Sequence, residues 1–307
     1  MLISTLLSIF AQEINVKINK HTIISKLPVL GFILLGLVIS FSFTSRNVIA
    51  ETTPLKLVIA MVDSIKKIKS YEFSLKALER VEKGEYVHAE SYVKLNVHPK
   101  ALYFRNEKKK ISIMYVAGAN DNKALVKAKM LMNTTLSLDP YGNMMRKNQH
   151  YTIHELGYDF FAKALTTALL KDKEHIAQNL KFVQKKVIQG KNCLGLLYDD
   201  PKFTYIKYTV EKNESLTSIA TKFNVSEYLL RLKNDLHSFY GNIKTGKVLD
   251  IPSNYCKSIL LYLDETNLLP VTVSVYDDIG LFENYEYSNV QTNKKFGIND
   301  FGKFYKD

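Results

Sequence analysis

The histidines and acidic residues are the first side chains to test for chemistry, and their spacing gives no catalytic or metal-binding motif. His150 and His154 lie four residues apart, a spacing that would bring both to one face of a helix. Residues 151–152, however, are typical of the approach to a helix, and no H-E-x-x-H zinc motif occurs. Asp199 and Asp200 precede a proline, which is typical of a turn. We expect no metal site.

Serine and glycine motifs lead to the same conclusion about catalysis. The chain contains no G-x-S-x-G nucleophile turn and no glycine-rich phosphate loop. A pair of carboxylates that cleaves a glycan is defined by its separation in space, so the sequence cannot nominate one. The sequence therefore predicts a protein that is not an enzyme and that needs no cofactor.

The elements that would position a binding site follow from hydrophobic periodicity. Helical spacing predicts amphipathic helices over residues 54–69 and over about 153–170. Thr152 is the predicted N-cap of the second helix, and Glu155 completes an approximate capping box. Alternating runs around these helices predict strands joined by tight turns. This order predicts an α+β fold with a large curved antiparallel sheet.

Residues 208–252 are the most distinctive part of the chain. They begin Y-T-V-E-K-N-E-S-L and end I-K-T-G-K-V-L-D-I-P, and they predict a small βααβ unit. Ser215 and Ser226 occupy its two helix N-cap positions. This unit resembles a LysM module. Modules of that family bind N-acetylglucosamine-containing glycans, chiefly peptidoglycan, so the resemblance implies a glycan partner, although such a unit can also persist as a spacer or a protein contact.

The resemblance also implies a shallow glycan-binding groove between two loops, where polar groups contact the acetamido group and an apolar side chain contacts its methyl. Asn213 stands where glycine is common in the family, and asparagine tolerates positive φ better than most residues. Residues 235–242 are longer and more aromatic than usual and would reshape one rim. The groove residues would be Asn213, Glu214, Ser215 and Leu216 on one side, and Lys244, Thr245 and Gly246 on the other.

The two cysteines, Cys193 and Cys256, lie in strand-like runs on either side of this unit. In an oxidising compartment they could form a disulfide across adjacent strands, which would close a loop containing the unit. They could equally remain two buried thiols. The sequence does not choose between these states.

Residues 1–50 resemble a bacterial export leader. The uncharged apolar run 27–43 follows Lys20 and Lys26, and the small residues near 48–50 offer a cleavage position. The same run is also nearly long enough to stay as an uncleaved inner-membrane anchor. We expect an exported protein of the periplasm or cell envelope.

The 307-residue chain is basic, with a formal net charge of +12. A basic surface attracts anionic glycan, phospholipid headgroups or nucleic acid, although lysines spread for solubility give the same value. No basic helix, zinc-finger spacing or aromatic RNA-binding motif is present, so we expect no nucleic-acid partner.

The remaining sequence, residues 51–207 and 253–307, forms the predicted host domain, with the module inserted at a hairpin tip. Its local markers are Y-E-F at 71–73, the paired strands around Lys83-Gly84, L-D-P-Y-G at 138–142, H-E-L-G at 154–157, L-P-V at 269–271, V-Y-D-D-I-G at 275–280 and E-N-Y-E-Y at 283–287. With these motifs it is similar to a bacterial family of unknown function that shares the LolA-like fold of outer-membrane lipoprotein carriers. That resemblance implies an open half-barrel whose apolar concave face encloses acyl chains, although a filled core would give the same alternation.

These observations predict a non-catalytic envelope protein whose module binds peptidoglycan while its host domain binds a lipid or an acylated partner. One alternative is a structural scaffold that contacts only other envelope proteins. Another is a peptidoglycan hydrolase with a hidden site in the host domain. The sequence gives no oligomeric state.

Overall fold

The computed structural model describes residues 52–129, 134–236 and 241–302. All of them fall within one compact unit, residues 48–307. The predicted leader and anchor, residues 1–50, lie outside the described residues. No helix within the described ranges is long and apolar enough to cross a membrane.

Within the described residues, eleven strands form one open antiparallel sheet, and two more form a separate small sheet. The order in the large sheet is β6-β5-β4-β3-β2-β1-β13-β12-β11-β8-β7, and the small sheet pairs β9 with β10. The predicted α+β fold with a large antiparallel sheet is thereby confirmed. The strands are β1 Ser70–Arg80, β2 Tyr86–Asn96, β3 Ala101–Asn106, β4 Ile111–Val116, β5 Ala124–Ala128, β6 Thr135–Leu138, β7 Leu180–Ile188, β8 Lys191–Asp199, β9 Tyr205–Thr209, β10 Val248–Pro252, β11 Ser258–Asp264, β12 Pro270–Tyr276 and β13 Leu281–Thr292.

Five α-helices accompany these sheets in the described residues: α1 Pro54–Lys66, α2 Asn143–Arg146, α3 Tyr158–Gln178, α4 Leu216–Phe223 and α5 Glu227–Lys233. Helix α1 confirms the first predicted helix. The Thr53 hydroxyl accepts a hydrogen bond from the Lys56 backbone N–H at 3.2 Å, and Pro54 starts the helix, a position where its missing N–H costs nothing. The apolar stripe of α1 is buried in the main core.

Helix α3 begins five residues later than predicted, and its cap is different. The Glu155 carboxylate does accept from the Thr152 backbone N–H at 2.8 Å, but this pair closes a turn ahead of the helix. The helix starts after Gly157, whose φ is +110°. Glycine adopts this conformation readily, and a capping box on Thr152 does not predict it. The Tyr71 hydroxyl of β1 accepts from the Tyr158 backbone N–H at 2.7 Å, so a distant strand caps this helix.

The βααβ unit consists of β9, α4, α5 and β10 and lies between β8 and β11. Those two strands are hydrogen-bonded neighbours in the large sheet, so the unit occupies a hairpin connection, as predicted. Its first strand starts three residues earlier than predicted. The unit has its own apolar core, formed by Val210, Leu216, Ile219, Ala220, Val225, Leu230, Ile243, Leu249 and Ile251.

Helix α5 attaches this unit firmly to the host. Tyr228 and Leu229 are only 2% and 3% exposed and belong to the main core of the host rather than to the core of the unit. Glu227 accepts hydrogen bonds from Arg146 of α2 and from Arg231. The Asn224 side chain donates to the Ala164 carbonyl of α3 at 3.3 Å. The unit is therefore packed against the host along one face.

Of the two states left open for Cys193 and Cys256, the structure has the two buried free thiols and not the disulfide. Cys193 lies opposite Asp264 in the β8–β11 register, whereas Cys256 lies next to the pair of Ser258 with Asp199 at the other end. At about 3.3 Å per residue the two cysteines are roughly 20 Å apart, beyond the reach of a disulfide. Burial raises the pKa of both thiols.

Candidate functional site

The structure brings the two predicted groove loops together. The Ile243 backbone N–H donates to the Glu214 carbonyl at 2.8 Å, and Ser215 forms an isolated antiparallel bridge with Asn242. The Gly246 N–H donates to the Val210 carbonyl at 2.9 Å. These bonds fix loops 211–215 and 242–247 side by side, with a surface between them.

Four of the seven predicted groove residues are exposed on these loops: Asn213, Lys244, Thr245 and Gly246. Asn213 has a φ of +66°, as its replacement of glycine predicts. Gly246 has a φ of +82° and open space where a Cβ would stand, so its backbone conformation rather than crowding explains the glycine. These residues offer amide, ammonium, hydroxyl and backbone groups to a ligand.

The other three predicted residues have structural roles. Leu216 is 2% exposed in the core of the unit, so its side chain does not reach the groove, and its predicted contact with an acetamido methyl does not fit this structure. The Ser215 hydroxyl accepts from the Ser218 backbone N–H at 3.1 Å and caps α4. The Glu214 carboxylate accepts from the Tyr208 hydroxyl at 2.8 Å.

Glu214 is also fixed by charge and by the backbone. The Glu211 backbone N–H donates to it at 2.8 Å, and the Lys222 ammonium donates to it at 3.2 Å. This N–H, opposed by partial desolvation and supported by Tyr208 and Lys222, holds the pKa of Glu214 below its usual value. Glu214 is thus an ionised side chain whose hydrogen bonds hold the groove loop in place. Residues 237–240, within the predicted aromatic rim, lie outside the described residues.

The host domain contains an apolar cavity of about 430 Å³ between α3 and one face of the sheet. Helix α3 contributes Phe160, Phe161, Ala164 and Leu165, and strands β8, β11, β12 and β13 supply most of the opposite wall. The sequence had left open whether this region is a cavity or a filled core, and the structure has a cavity. Its volume lies within the usual range of ligand pockets, about 300–1,000 Å³. The sequence shows that these helix residues are apolar. That they leave an empty space against the sheet is seen only in the packed structure.

A buried polar network forms part of the cavity wall. Glu283 of β13 is 1% exposed, and its carboxylate accepts from the Tyr151 hydroxyl at 2.6 Å and from the Tyr285 hydroxyl at 3.3 Å. Tyr151 also shares a 2.6 Å hydrogen bond with the hydroxyl of Tyr255. Burial raises the pKa of these three tyrosines well above 10.0, so they remain neutral hydroxyl groups.

His150 connects this network to the inserted unit. Its Nδ1 lies 2.7 Å from the Glu283 carboxylate, and its Nε2 lies 3.0 Å from the Arg80 carbonyl, so both ring nitrogens face acceptors. Its ring stacks between Tyr228 of α5 and Phe282 of β13, with centroids 4.4 Å and 4.2 Å away. Burial opposes its charge, but the hydrogen bond to Glu283 and nearby carboxylates outweigh burial and raise the pKa of His150.

From its spacing in the sequence, His150 was a candidate only for metal binding. Among the described residues, no three metal-ligating side chains come together in a metal-binding arrangement. The partner of His150 lies 133 positions away, and nothing in the local sequence indicates it. Glu283 does belong to the E-N-Y-E-Y motif, but this motif indicated only a resemblance to a family and no role for Glu283.

A second, larger cavity of about 1250 Å³ lies between the host and the inserted unit, and we call it the cleft. Its host side includes α3 and the end of α1, and its other side includes Thr217, Thr221 and Arg231 of α4 and α5. The sequence does not predict the cleft, because the cleft forms only where α5 packs on the host.

Two protein families match parts of the chain. Residues 208–252 match the LysM domain, with the same bounds as the predicted module. Residues 68–214 match a family described as a protein of unknown function, DUF1571. The recognition of a LysM module within a host related to a family of unknown function is confirmed. A curated relative, the chaperone SurA of Buchnera aphidicola, is 25% identical over 166 residues, which are 48% of this chain. The chain spans about a third (36%) of the length of that relative.

A comparison with solved structures matches this chain to two mycobacterial proteins, among others. The lipoprotein LppX of Mycobacterium tuberculosis is 11% identical, with 80% of this chain and 97% of LppX covered and a TM-score of 0.39. LprF of Mycobacterium bovis is 10% identical, with 79% and 94% covered and a TM-score of 0.40.

Proposed function

We propose that this chain is a non-catalytic protein of the bacterial cell envelope that binds peptidoglycan glycan through residues 208–252 and an apolar chain, from a lipid or an acylated partner, through its host cavity. The observation that carries the proposal is the LysM match at 208–252. The location in the envelope rests on this match together with the export-like leader at residues 1–50.

The groove supports glycan binding through the groups it leaves free. Asn213, Lys244 and Thr245 are exposed on loops that backbone hydrogen bonds hold in place. A preorganised polar surface of this kind suits the hydroxyl and acetamido groups of N-acetylglucosamine, because little ordering entropy is lost on binding. Since Leu216 is buried, the apolar contact with the acetamido methyl must come from another side chain.

The cavity supports binding of an apolar chain. It is lined mainly by aliphatic and aromatic side chains. Among its polar groups, the tyrosines are neutral and Glu283 is paired, while two lysines and two aspartates, Lys171, Lys202, Asp172 and Asp200, balance one another in charge. Burying a methylene group stabilises a complex by about 0.8 kcal/mol, so even a short acyl chain gains appreciable affinity there. No nucleic-acid partner and no cofactor is part of this proposal.

Sedimentation with purified peptidoglycan sacculi tests the glycan half. We expect the full chain to sediment with sacculi and a Thr245→Trp variant to stay in solution, because the indole fills the groove. Thr245 makes a better target than Ser215, whose replacement would also remove a helix cap. Ile206→Trp is the matched control, since Ile206 is 44% exposed near the opposite end of β9. Equal binding by all three proteins would indicate attraction by basic charge and would contradict the groove.

Lipid extraction and mass spectrometry of the purified protein test the other half. We expect co-purifying acyl lipid in the wild type and much less in Ala168→Trp, since Ala168 lines the cavity. Leu170→Trp on the same helix is the control, because Leu170 is 68% exposed and is not among the cavity-lining residues. If neither glycan nor lipid is bound, the scaffold alternative replaces the proposal.

A further inference from the structure

We infer that the cleft receives the anionic headgroup of an amphiphile whose apolar chain occupies the host cavity. This inference rests on the proposed lipid half of the function and adds the chemical class of the ligand. It gives the inserted unit a second role, since the unit forms one side of the headgroup site.

The cavity and the cleft adjoin one another. Six side chains line both spaces, so the cavity and the cleft lie side by side. The shared residues are Tyr151, Glu155, Phe160, Ala164, Asn224 and Tyr255. Asn224 comes from the inserted unit and is held to α3 by its bond to the Ala164 carbonyl. An apolar space beside a polar one suits the two ends of an amphiphile.

The cleft has unpaired positive charge. Lys66, Lys69 and Lys163 line it and are exposed, and none of the three forms an ion pair with another described residue. Lys66 is the last residue of α1, Lys69 lies between α1 and β1, and Lys163 lies on α3, so all three are on the host side of the cleft. Three ammonium groups around one space favour an anionic group such as a phosphate.

The carboxylates of the cleft do not cancel this charge, because each is already engaged. Asp159 pairs with Lys100 at 3.0 Å, and Glu227 pairs with Arg231 at 2.6 Å and with Arg146. Glu155 accepts from the backbone N–H and the hydroxyl of Thr152, which carry no charge. Its charge is offset by an arginine, because Glu227 faces both Arg146 and Arg231 and the charge of Arg146 also acts on Glu155. The charge left for a ligand is therefore that of the three lysines.

The far end of the cavity is a poorer site for an anion. Lys171 and Lys202 line it, but Asp172 and Asp200 line it too, so their charges balance. Asp200 lies 3.3 Å from the ring of His175 and is 1% exposed.

Isothermal titration of the full chain with two amphiphiles of equal chain length, below their micelle concentrations, tests the inference. The probes are dodecyl phosphate, with an anionic head, and dodecyldimethylamine oxide, with a neutral head; inorganic phosphate is the third. The variants are Lys66→Gln/Lys69→Gln/Lys163→Gln and the control Lys56→Gln/Lys67→Gln/Lys173→Gln, which changes three exposed lysines that line neither the cavity nor the cleft. We expect the triple variant to lose affinity for dodecyl phosphate about tenfold, as three exposed ion pairs of ordinary strength would together give.

We further expect both variants to bind the neutral probe as the wild type does, and the control to keep its affinity for dodecyl phosphate. Equal losses for both amphiphiles, a loss in the control instead, or inorganic phosphate binding as tightly as dodecyl phosphate would each overturn the headgroup site. If the wild type binds the two amphiphiles equally well, the inference fails while the cavity half of the proposed function stands. If the wild type binds neither amphiphile, both fail.

Discussion

His150 should be the side chain that most strongly couples the host cavity to the inserted unit. In a His150→Phe variant the ring can still stack between Tyr228 and Phe282, whereas the hydrogen bonds to Glu283 and to the Arg80 carbonyl are lost. Glu283 then remains buried without its cationic partner. Removing one partner of a buried ion pair costs about 3–5 kcal/mol, so we expect the free energy of unfolding to fall by that amount.

Urea unfolding measures this change, and the double variant His150→Phe/Glu283→Gln is the control. Since the second substitution removes the stranded charge, we expect it to restore more than half of the lost free energy. A loss below about 1 kcal/mol in the single variant, or no recovery in the double variant, would refute the assignment of a charged His150 paired with Glu283.

The pH dependence of the wild type gives an independent reading of the same pair. Because the pKa of His150 is raised above 6.5 in the folded chain, its stabilisation is complete below pH 6.5 and is lost as pH rises through the folded pKa. Above pH 6.5 the free energy of unfolding should fall by at most about 1.4 kcal/mol per pH unit. His154 has the opposite pH dependence. Burial, and then the charge of Lys100, lower the pKa of His154 in the folded chain, so its contribution to stability is complete above pH 6.5 and is lost as pH falls. His150→Phe should remove the slope above pH 6.5.

Three further predictions concern packing, backbone conformation and sulfur chemistry. Tyr228→Ala should lower the free energy of unfolding by about 3–5 kcal/mol and open the inserted unit to protease, while Tyr228→Phe, which keeps the ring, should do neither. Gly157→Ala should cost about 3 kcal/mol in urea unfolding, because its Cβ would lie 2.0 Å from a tyrosine hydroxyl; Gly190→Ala, with positive φ but no neighbour within 4 Å, should cost only about 1 kcal/mol, and equal costs would contradict the crowding. Dithiothreitol should leave the melting temperature unchanged, and thiol titration of the unfolded chain should find Cys193 and Cys256 both free; a lower melting temperature in reductant would show a disulfide.

Features set by neighbouring residues could be predicted from the sequence. Helix α1 follows from its apolar spacing and from Pro54 at its start, and the two helices of the module follow from Ser215 and Ser226, whose hydroxyls accept from the backbone at the predicted caps. The positive φ of Asn213 could be predicted for the same reason, because it depends on residue type at a turn.

Features set by distant residues could not be predicted. The start of α3 depends on the Tyr71 hydroxyl, 87 positions away, and the charge of His150 depends on Glu283, 133 positions away. The Cys193–Cys256 pairing was plausible from the flanking strands, but the β8–β11 register, which the sequence does not reveal, places the two cysteines at opposite ends of the paired strands. The burial of Leu216 and the empty space beside Phe160 likewise result from packing, which periodicity does not describe.

Titration of the full chain with N-acetylglucosamine tetramer in a calorimeter is the most direct test of the proposed function. We predict that the wild type and Ile206→Trp bind the tetramer saturably and that Thr245→Trp does not bind it. Absence of heat in the wild type, or unchanged affinity in Thr245→Trp, would contradict glycan recognition through loops 211–215 and 242–247.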